Sequence, residues 1–283
     1  MTAPPDREKV RAMPAFSLPM YDWPEVRDAT DAWAKGLARR LRAQGFAEAP
    51  LDLLRHEDFS QAWQSSELML SQCCGYPLVH LYGGVLTPVL TPHYAVEGCS
   101  GPAYSSFVLV RSADNIHALT ELRGRVSAIN DRHSMSGMLA LKLVFGPLTD
   151  NGKFFAHTVE TGTHASSLAA VLRGKADVCA VDAVCVALAR RYRPELLAGL
   201  TEIARSPLVP GLPYVTAGHR SPQELVRMRQ AIAAAFVDPE LQPARDALFL
   251  SGCSPLDCSD YAIIAALERN LERHGGLALW EAA

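Results

Sequence analysis

Short apolar runs alternate along this chain with stretches whose apolar residues recur at helical spacing, and that alternation confines it to layered α/β architectures. Residues 106–110 read as a buried strand by their β-branched content. Strands are also expected at 15–20, 68–72, 125–129, 178–181 and 213–215. Helices are expected over 136–145, 165–173, 183–193, 222–236 and 259–273, and another carries Val26, Thr30, Trp33, Leu37 and Leu41 up to Gly45. Strands separated by helices in this way imply parallel sheets covered on both faces. No internal repeat or low-complexity linker interrupts the pattern.

At 283 residues the chain can bury a large core and divide into two lobes. Its net charge of −3 supplies no broad basic field, which argues against a nucleic-acid partner or an anionic membrane surface. An anion would have to be caught locally. The first fifteen residues carry mixed charge and three prolines and lack the apolar stretch of a secretory signal, and no eighteen-residue apolar run follows. As written, the protein is expected to be cytoplasmic and not inserted in a membrane; a true start further upstream would make it periplasmic. Seven cysteines, an odd number, show no disulfide framework.

Two helix starts carry hydroxyls and glycine: residues 129–137, with Ser134, Ser136 and Gly137, and residues 161–164, with Thr161, Gly162, Thr163 and His164. Each follows an apolar strand, so unpaired backbone N–H groups, hydroxyls and the positive end of a helix dipole can converge on one small anion. Asp182, at the end of the next strand, imposes the opposite requirement. A carboxylate there repels an anion unless the ligand carries a donor or cation, or unless Asp182 orients a base such as His164.

Each of these residues also has a plain structural use. Ser134 and Ser136 can cap the following helix, Asp182 can cap the helix at 183–193, and His164 can begin a helix without touching a ligand. Tyr21 and Tyr76 lie just past the carboxyl ends of strands, where open α/β sheets bind ligands, and can equally be packing residues. Cys73, Cys74, His80, His93 and Cys99 fit no C-x2–4-C spacing, so no metal site is expected; a thiol lining the pocket mouth is the better use of the Cys73-Cys74-Gly75-Tyr76 turn.

Several motifs in one order carry a family resemblance: Tyr104-Ser105-Ser106-Phe107-Val108-Leu109-Val110-Arg111, Asn130-Asp131-x-x-Ser134-x-Ser136-Gly137, Thr161-Gly162-Thr163-His164, Gly174-x-Ala-Asp177-Val178-x-Ala-Val-Asp182 and Pro210-Gly211-Leu212-Pro213. Over roughly residues 15 to 240 the chain resembles the phosphate/phosphite/phosphonate-binding proteins of ABC transporters. The resemblance implies a two-lobed type II periplasmic-binding-protein fold of class α/β, each lobe a mostly parallel sheet flanked by helices. Lobe one would comprise residues 1–107 and 205–283 and lobe two residues 108–204, with the ligand in the cleft between them.

The same resemblance implies a solute-binding protein for a small phosphorus oxyanion or similar organic anion, working as a monomer with an ABC transporter permease and needing no cofactor. It places the anion on Ser134, Ser136, the adjoining amides and His164, puts Asp182 opposite a ligand amino group, and adds Tyr21, Gln72, Tyr76, Ser106 and Met135 to the site. The family usually has a small hydroxyl residue where this chain has Met135, which removes a donor; Arg132 and His133 stand nearby as replacements. Cytoplasmic enzymes of menaquinone and thiamine-pyrimidine biosynthesis share the architecture and form the alternative. No nucleophile–base pair, phosphate-loop lysine motif or dinucleotide motif supports catalysis.

Overall fold

The apolar runs become strands of two five-stranded sheets in a computed structural model that describes residues 15–55, 59–149 and 151–279. Residues 1–14, on which the export reading rests, lie outside the described residues. In chain order the strands are β1 (Ala15–Phe16), β2 (Leu68–Gln72), β3 (Leu86–Tyr94), β4 (Cys99–Ser100), β5 (Ala103–Tyr104), β6 (Ser106–Arg111), β7 (Val126–Ile129), β8 (His157–Glu160), β9 (Val178–Asp182), β10 (Leu200–Arg205), β11 (Val209–Pro210), β12 (Tyr214–Ala217) and β13 (Leu250–Ser254). Sheet one has the order β1-β2-β12-β3-β13 and sheet two the order β10-β6-β9-β7-β8; β11, β5 and β4 form a small third sheet.

The two-lobed α/β fold is as expected, but the sheets are mixed rather than mostly parallel. Parallel pairing joins β1 to β2, β7 to β8 and β7 to β9, whereas β12 runs antiparallel to both β2 and β3, and β6 antiparallel to both β9 and β10. Both β6 and β12 belong to segments that pass from one sheet to the other, and each enters its sheet against the direction of the strands beside it. An apolar run fixes burial, not direction, so the sequence pattern is silent on this point. The expected strands also leave out β3. Its Pro88 and Pro92 argue against an interior strand, yet it pairs on both sides, through irregular registers near Val215 and Gly252.

The helices are α1 (Arg27–Ala43), α2 (Ser60–Gln64), α3 (Gly75–His80), α4 (Ala140–Phe145), α5 (His164–Leu172), α6 (Ala183–Tyr192), α7 (Pro222–Phe236), α8 (Gln242–Ala247) and α9 (Cys258–Arg273). Trp33, Leu37 and Leu41 form the buried face of α1, each contributing roughly 1.5–3 kcal/mol relative to exposure. The Trp33 indole donates to the Tyr214 hydroxyl of β12 at 2.8 Å, which fixes the rotation of α1 on sheet one. At α7 the Ser221 hydroxyl accepts from the Glu224 amide while Glu224 reaches back to the Ser221 amide, and Pro222 needs no donor in that first turn.

α9 and the residues after it touch both halves of the molecule. Glu268 accepts from the Tyr76 hydroxyl of α3 at 3.2 Å and from Lys142 of α4 at 3.4 Å. Beyond the helix, the Thr149 hydroxyl donates to Gly276 at 3.1 Å and the Ala278 amide to Gly152 at 2.9 Å. Among the described residues no helix is long and apolar enough to cross a membrane.

Candidate functional site

The first helix start departs from an ordinary α-helical turn. Ser134 is extended and its hydroxyl accepts the Gly137 amide at 2.9 Å, but the Leu139 amide bonds back to the Ser134 carbonyl, five residues earlier. The segment Met135–Leu139 is thus a widened π-turn, a form common at functional sites. Gly137 suits this turn, because a Cβ would meet the Asn130 side-chain oxygen at 1.9 Å and force Asn130 to move. The turn leaves Ser136 without a cap to make. Its hydroxyl instead meets His164 Nε2 at 2.8 Å, with the Ser134 hydroxyl 3.4 Å away.

His164 arrives from the second helix start. Gly162 takes a φ of +84°, turning the chain after β8, and the Thr163 hydroxyl caps α5 by accepting the Ser166 amide. Burial pushes the His164 pKa down to about 4, so the ring is neutral at neutral pH. Its Nδ1 is buried without a hydrogen-bond partner.

Asp182 ends β9 and caps α6, accepting the amides of Val184 at 2.7 Å and Cys185 at 3.4 Å on one oxygen. Its other oxygen accepts the Tyr21 hydroxyl at 2.9 Å, so a residue that follows β1 of sheet one bonds directly to a strand end of sheet two. Burial raises the Asp182 pKa to about 6 in spite of these three donors. No hydrogen bond joins Asp182 to His164; its oxygens are taken by Tyr21 and the helix.

The family model for the periplasmic substrate-binding protein of phosphonate ABC transporters matches residues 18–261. The chain belongs to this phosphonate-binding family. Among solved structures it is similar to a binding-protein component of an ABC phosphonate transporter from Pseudomonas aeruginosa, with 18% identity, a TM-score of 0.73 and coverage of 93% of this chain and 88% of that one. It is also similar to PhnD1 from Prochlorococcus marinus in complex with methylphosphonate, with 13% identity, a TM-score of 0.71 and coverage of 93% and 100%. A Xanthomonas citri protein bound to ATP gives 18% identity, a TM-score of 0.69 and coverage of 92% and 98%. These likenesses show the type II periplasmic-binding-protein fold. Among curated proteins none matches. Nothing in the comparisons favours the enzyme alternative.

Two further side chains of this phosphonate-family chain stand near Asp182 that the sequence had not singled out as ligands, Tyr94 and Tyr104, and beside them is Cys74, from the turn expected to line the pocket with a thiol. Burial raises the pKa of each, and the nearby Asp182 charge adds to the effect. The Tyr94 ring stands edge-on to Tyr21, with centroids 5.2 Å apart. Gln72 donates to the Tyr94 hydroxyl at 3.0 Å and to the Leu212 carbonyl at 3.1 Å. The Tyr104 hydroxyl is buried beside Ser136, with no hydrogen bond of good geometry. Of the adjacent thiols, Cys74 faces the Met135 and Tyr76 amides, and Cys73 turns into the core toward the Cys74 carbonyl at 3.3 Å. Tyr104 sits in a quoted motif, which was the available signal; Tyr94 ends the strand that its prolines disguise.

Other expected residues sit differently. Tyr76 stacks on His80 and donates to Glu268, so its ring faces α9 instead of Asp182. Ser106 lies opposite Asp182 in the β6 to β9 register, where its amide donates to the Ser206 hydroxyl. Met135 is buried in the core. Arg132 and His133 do not replace the missing donor. Asp131 accepts the His133 amide at 2.6 Å in a tight turn that sends both side chains outward, and Arg132 pairs with Glu160 at 2.9 Å. Among the described residues no group of three or more His, Cys, Asp or Glu could hold a metal ion.

Proposed function

We propose that this chain is the substrate-binding component for a small phosphonate that also carries an ammonium or hydroxyl donor. The observation that carries the reading is the 2.8 Å contact of Ser136 with His164. A serine at a helix start that caps nothing, met by a neutral buried histidine from the next helix start, brings a hydroxyl and an imidazole to one point beside two helix N-termini, and a bound anion can take the donor of the pair. Ser134, Ser136, the adjoining amides and His164 would hold the phosphonate oxygens. Asp182 would take the ligand's donor, with Tyr21, Gln72 and Ser106 beside it and Met135 and Tyr76 contributing through their backbone.

In this reading residues 1–107 and 205–283 form lobe one and residues 108–204 lobe two. The partner is the permease of an ABC transporter and the protein works as a monomer, which light scattering after size exclusion measures directly. The chain would act in the periplasm, as its family does, and osmotic-shock fractionation of the native host checks the compartment.

A thermal-shift panel of phosphate, phosphite, methylphosphonate, aminoalkylphosphonates, sulfonates and carboxylates tests the ligand. At about a hundredfold over Kd the right ligand adds roughly 2.7 kcal/mol of stability. A shift with carboxylates or sulfonates and none with any phosphorus oxyanion would overturn the reading.

A further inference from the structure

Resting on the phosphonate reading, we propose that the cleft holds a third subsite for a short apolar side arm, whose length Val184 and Leu188 set. The ligand class is then a 1-aminoalkyl- or 1-hydroxyalkylphosphonate. A cavity of about 30 Å3 lies next to the polar cluster, walled by Tyr21, Gln72 and Tyr94 from the lobe-one side and by Val184 and Leu188 of α6 from the other. That volume accommodates about one or two water-sized groups.

Val184 and Leu188 are four residues apart, so they share one face of α6, and both are buried. The same helix begins at Asp182, whose carboxylate accepts the Val184 amide at 2.7 Å, so the carboxylate and the cavity wall are fixed to one another within the first two turns of α6. Tyr21 joins the two spaces: its ring lines the cavity while its hydroxyl occupies Asp182. A ligand ammonium or hydroxyl that takes over this Asp182 oxygen displaces the Tyr21 hydroxyl and frees the ring to turn from the wall. Three groups then meet at one carbon of the ligand: the phosphonate toward Ser136 and His164, the donor toward Asp182, and the side arm toward Leu188. Leu18, Leu248 and Leu250 also line the cavity, and although Gln72, Thr30 and Tyr214 border it on the far side, the α6 wall that the arm meets offers no hydrogen bond, so an apolar arm fits it best.

Titration of the full chain with aminomethylphosphonate, 1-aminoethylphosphonate and 1-aminobutylphosphonate tests the subsite. Wild type should bind the aminoethyl compound roughly fourfold tighter than the aminomethyl one, the value of one buried CH2, and should bind the aminobutyl compound less tightly than the aminoethyl one. Leu188→Ala should move the optimum to the aminobutyl compound, and Leu188→Phe should abolish the gain from aminomethyl to aminoethyl. Val184→Ala is a second enlarging variant should either Leu188 variant fail to fold by circular dichroism. Affinity ratios that stay the same in wild type and in every folded variant would overturn the subsite alone. Binding of none of the three compounds by the folded wild type would overturn the phosphonate reading and the subsite with it.

Discussion

At Ser136 and Asp182 local chemistry and binding chemistry can be separated experimentally. Ser134 is occupied as a cap, but Ser136 is not, so Ser136→Ala should leave the helix start intact and weaken phosphonate binding by roughly 1.5–3 kcal/mol. A lowered melting temperature with unchanged affinity would make Ser136 structural. Asp182 is bonded to Tyr21 and not to His164, so Asp182→Asn should weaken amino-bearing phosphonates while sparing or improving methylphosphonate; equal affinities across that pair would remove Asp182 from recognition.

The same two sites set the acid response. Asp182 has its pKa raised to about 6, so its contribution to stability is fully present below the unfolded value near 4 and is lost as pH rises through 6. His164, lowered to about 4, contributes stability that is present above the unfolded value near 6.5 and lost as pH falls through 4. The two slopes oppose each other between pH 4 and 6. Melting temperature should therefore rise with pH more steeply in Asp182→Asn than in wild type across that window, and His164→Gln should tilt it the other way. Parallel profiles for all three proteins would sink the assignment. Ser134, Ser136, His164 and Asp182 were legible in sequence because helix-start chemistry is local. A pocket-lining thiol at the Cys73-Cys74 turn was also legible, though not which of the two it would be; Tyr94 was not, since it reaches Asp182 only through tertiary placement, Tyr104 was marked only by its motif, and the direction of the Tyr76 ring is set by α9.

At the scale of elements, the π-turn Met135–Leu139 depends on the close approach of Asn130 to Gly137. Gly137→Ala places a methyl against the Asn130 oxygen and should cost about 1–3 kcal/mol by overpacking, as well as weaken ligand binding by displacing Ser136. Pairing it with Asn130→Ala should recover part of the stability; a double variant no more stable than Gly137→Ala would show that this contact is not the constraint. The helices α1 and α7 were readable almost to the residue, because their apolar spacing and caps are carried within each segment. Strand direction was not readable. Pairing partners for β6 and β12 come from segments far along the chain, and the burial of β6 would look the same in either orientation.

For the molecule as a whole, two of the cross-sheet contacts lie far apart in sequence: Arg193 of the segment after α6 pairs with Glu25 ahead of α1, and Lys142 of α4 pairs with Glu268 of α9. Sheet one also has an uneven build. Its middle strand, β12, separates β2 from β3 and is reached only at residue 214, after every strand of sheet two has been passed by residue 205. During synthesis the second sheet can therefore be finished while β3 still waits with open edges, and unpaired edges are where chains stick to one another. Fragments ending at residue 212 should show protease protection across residues 106–205 and cleavage within residues 68–94, whereas fragments running through residue 279 should protect both. Equal protection of the two regions in the shorter fragment would refute this order of assembly. A chain built this way is most vulnerable while its C-terminal part has yet to emerge, and a chaperone that covers the open edges of β3 during that interval should raise its yield.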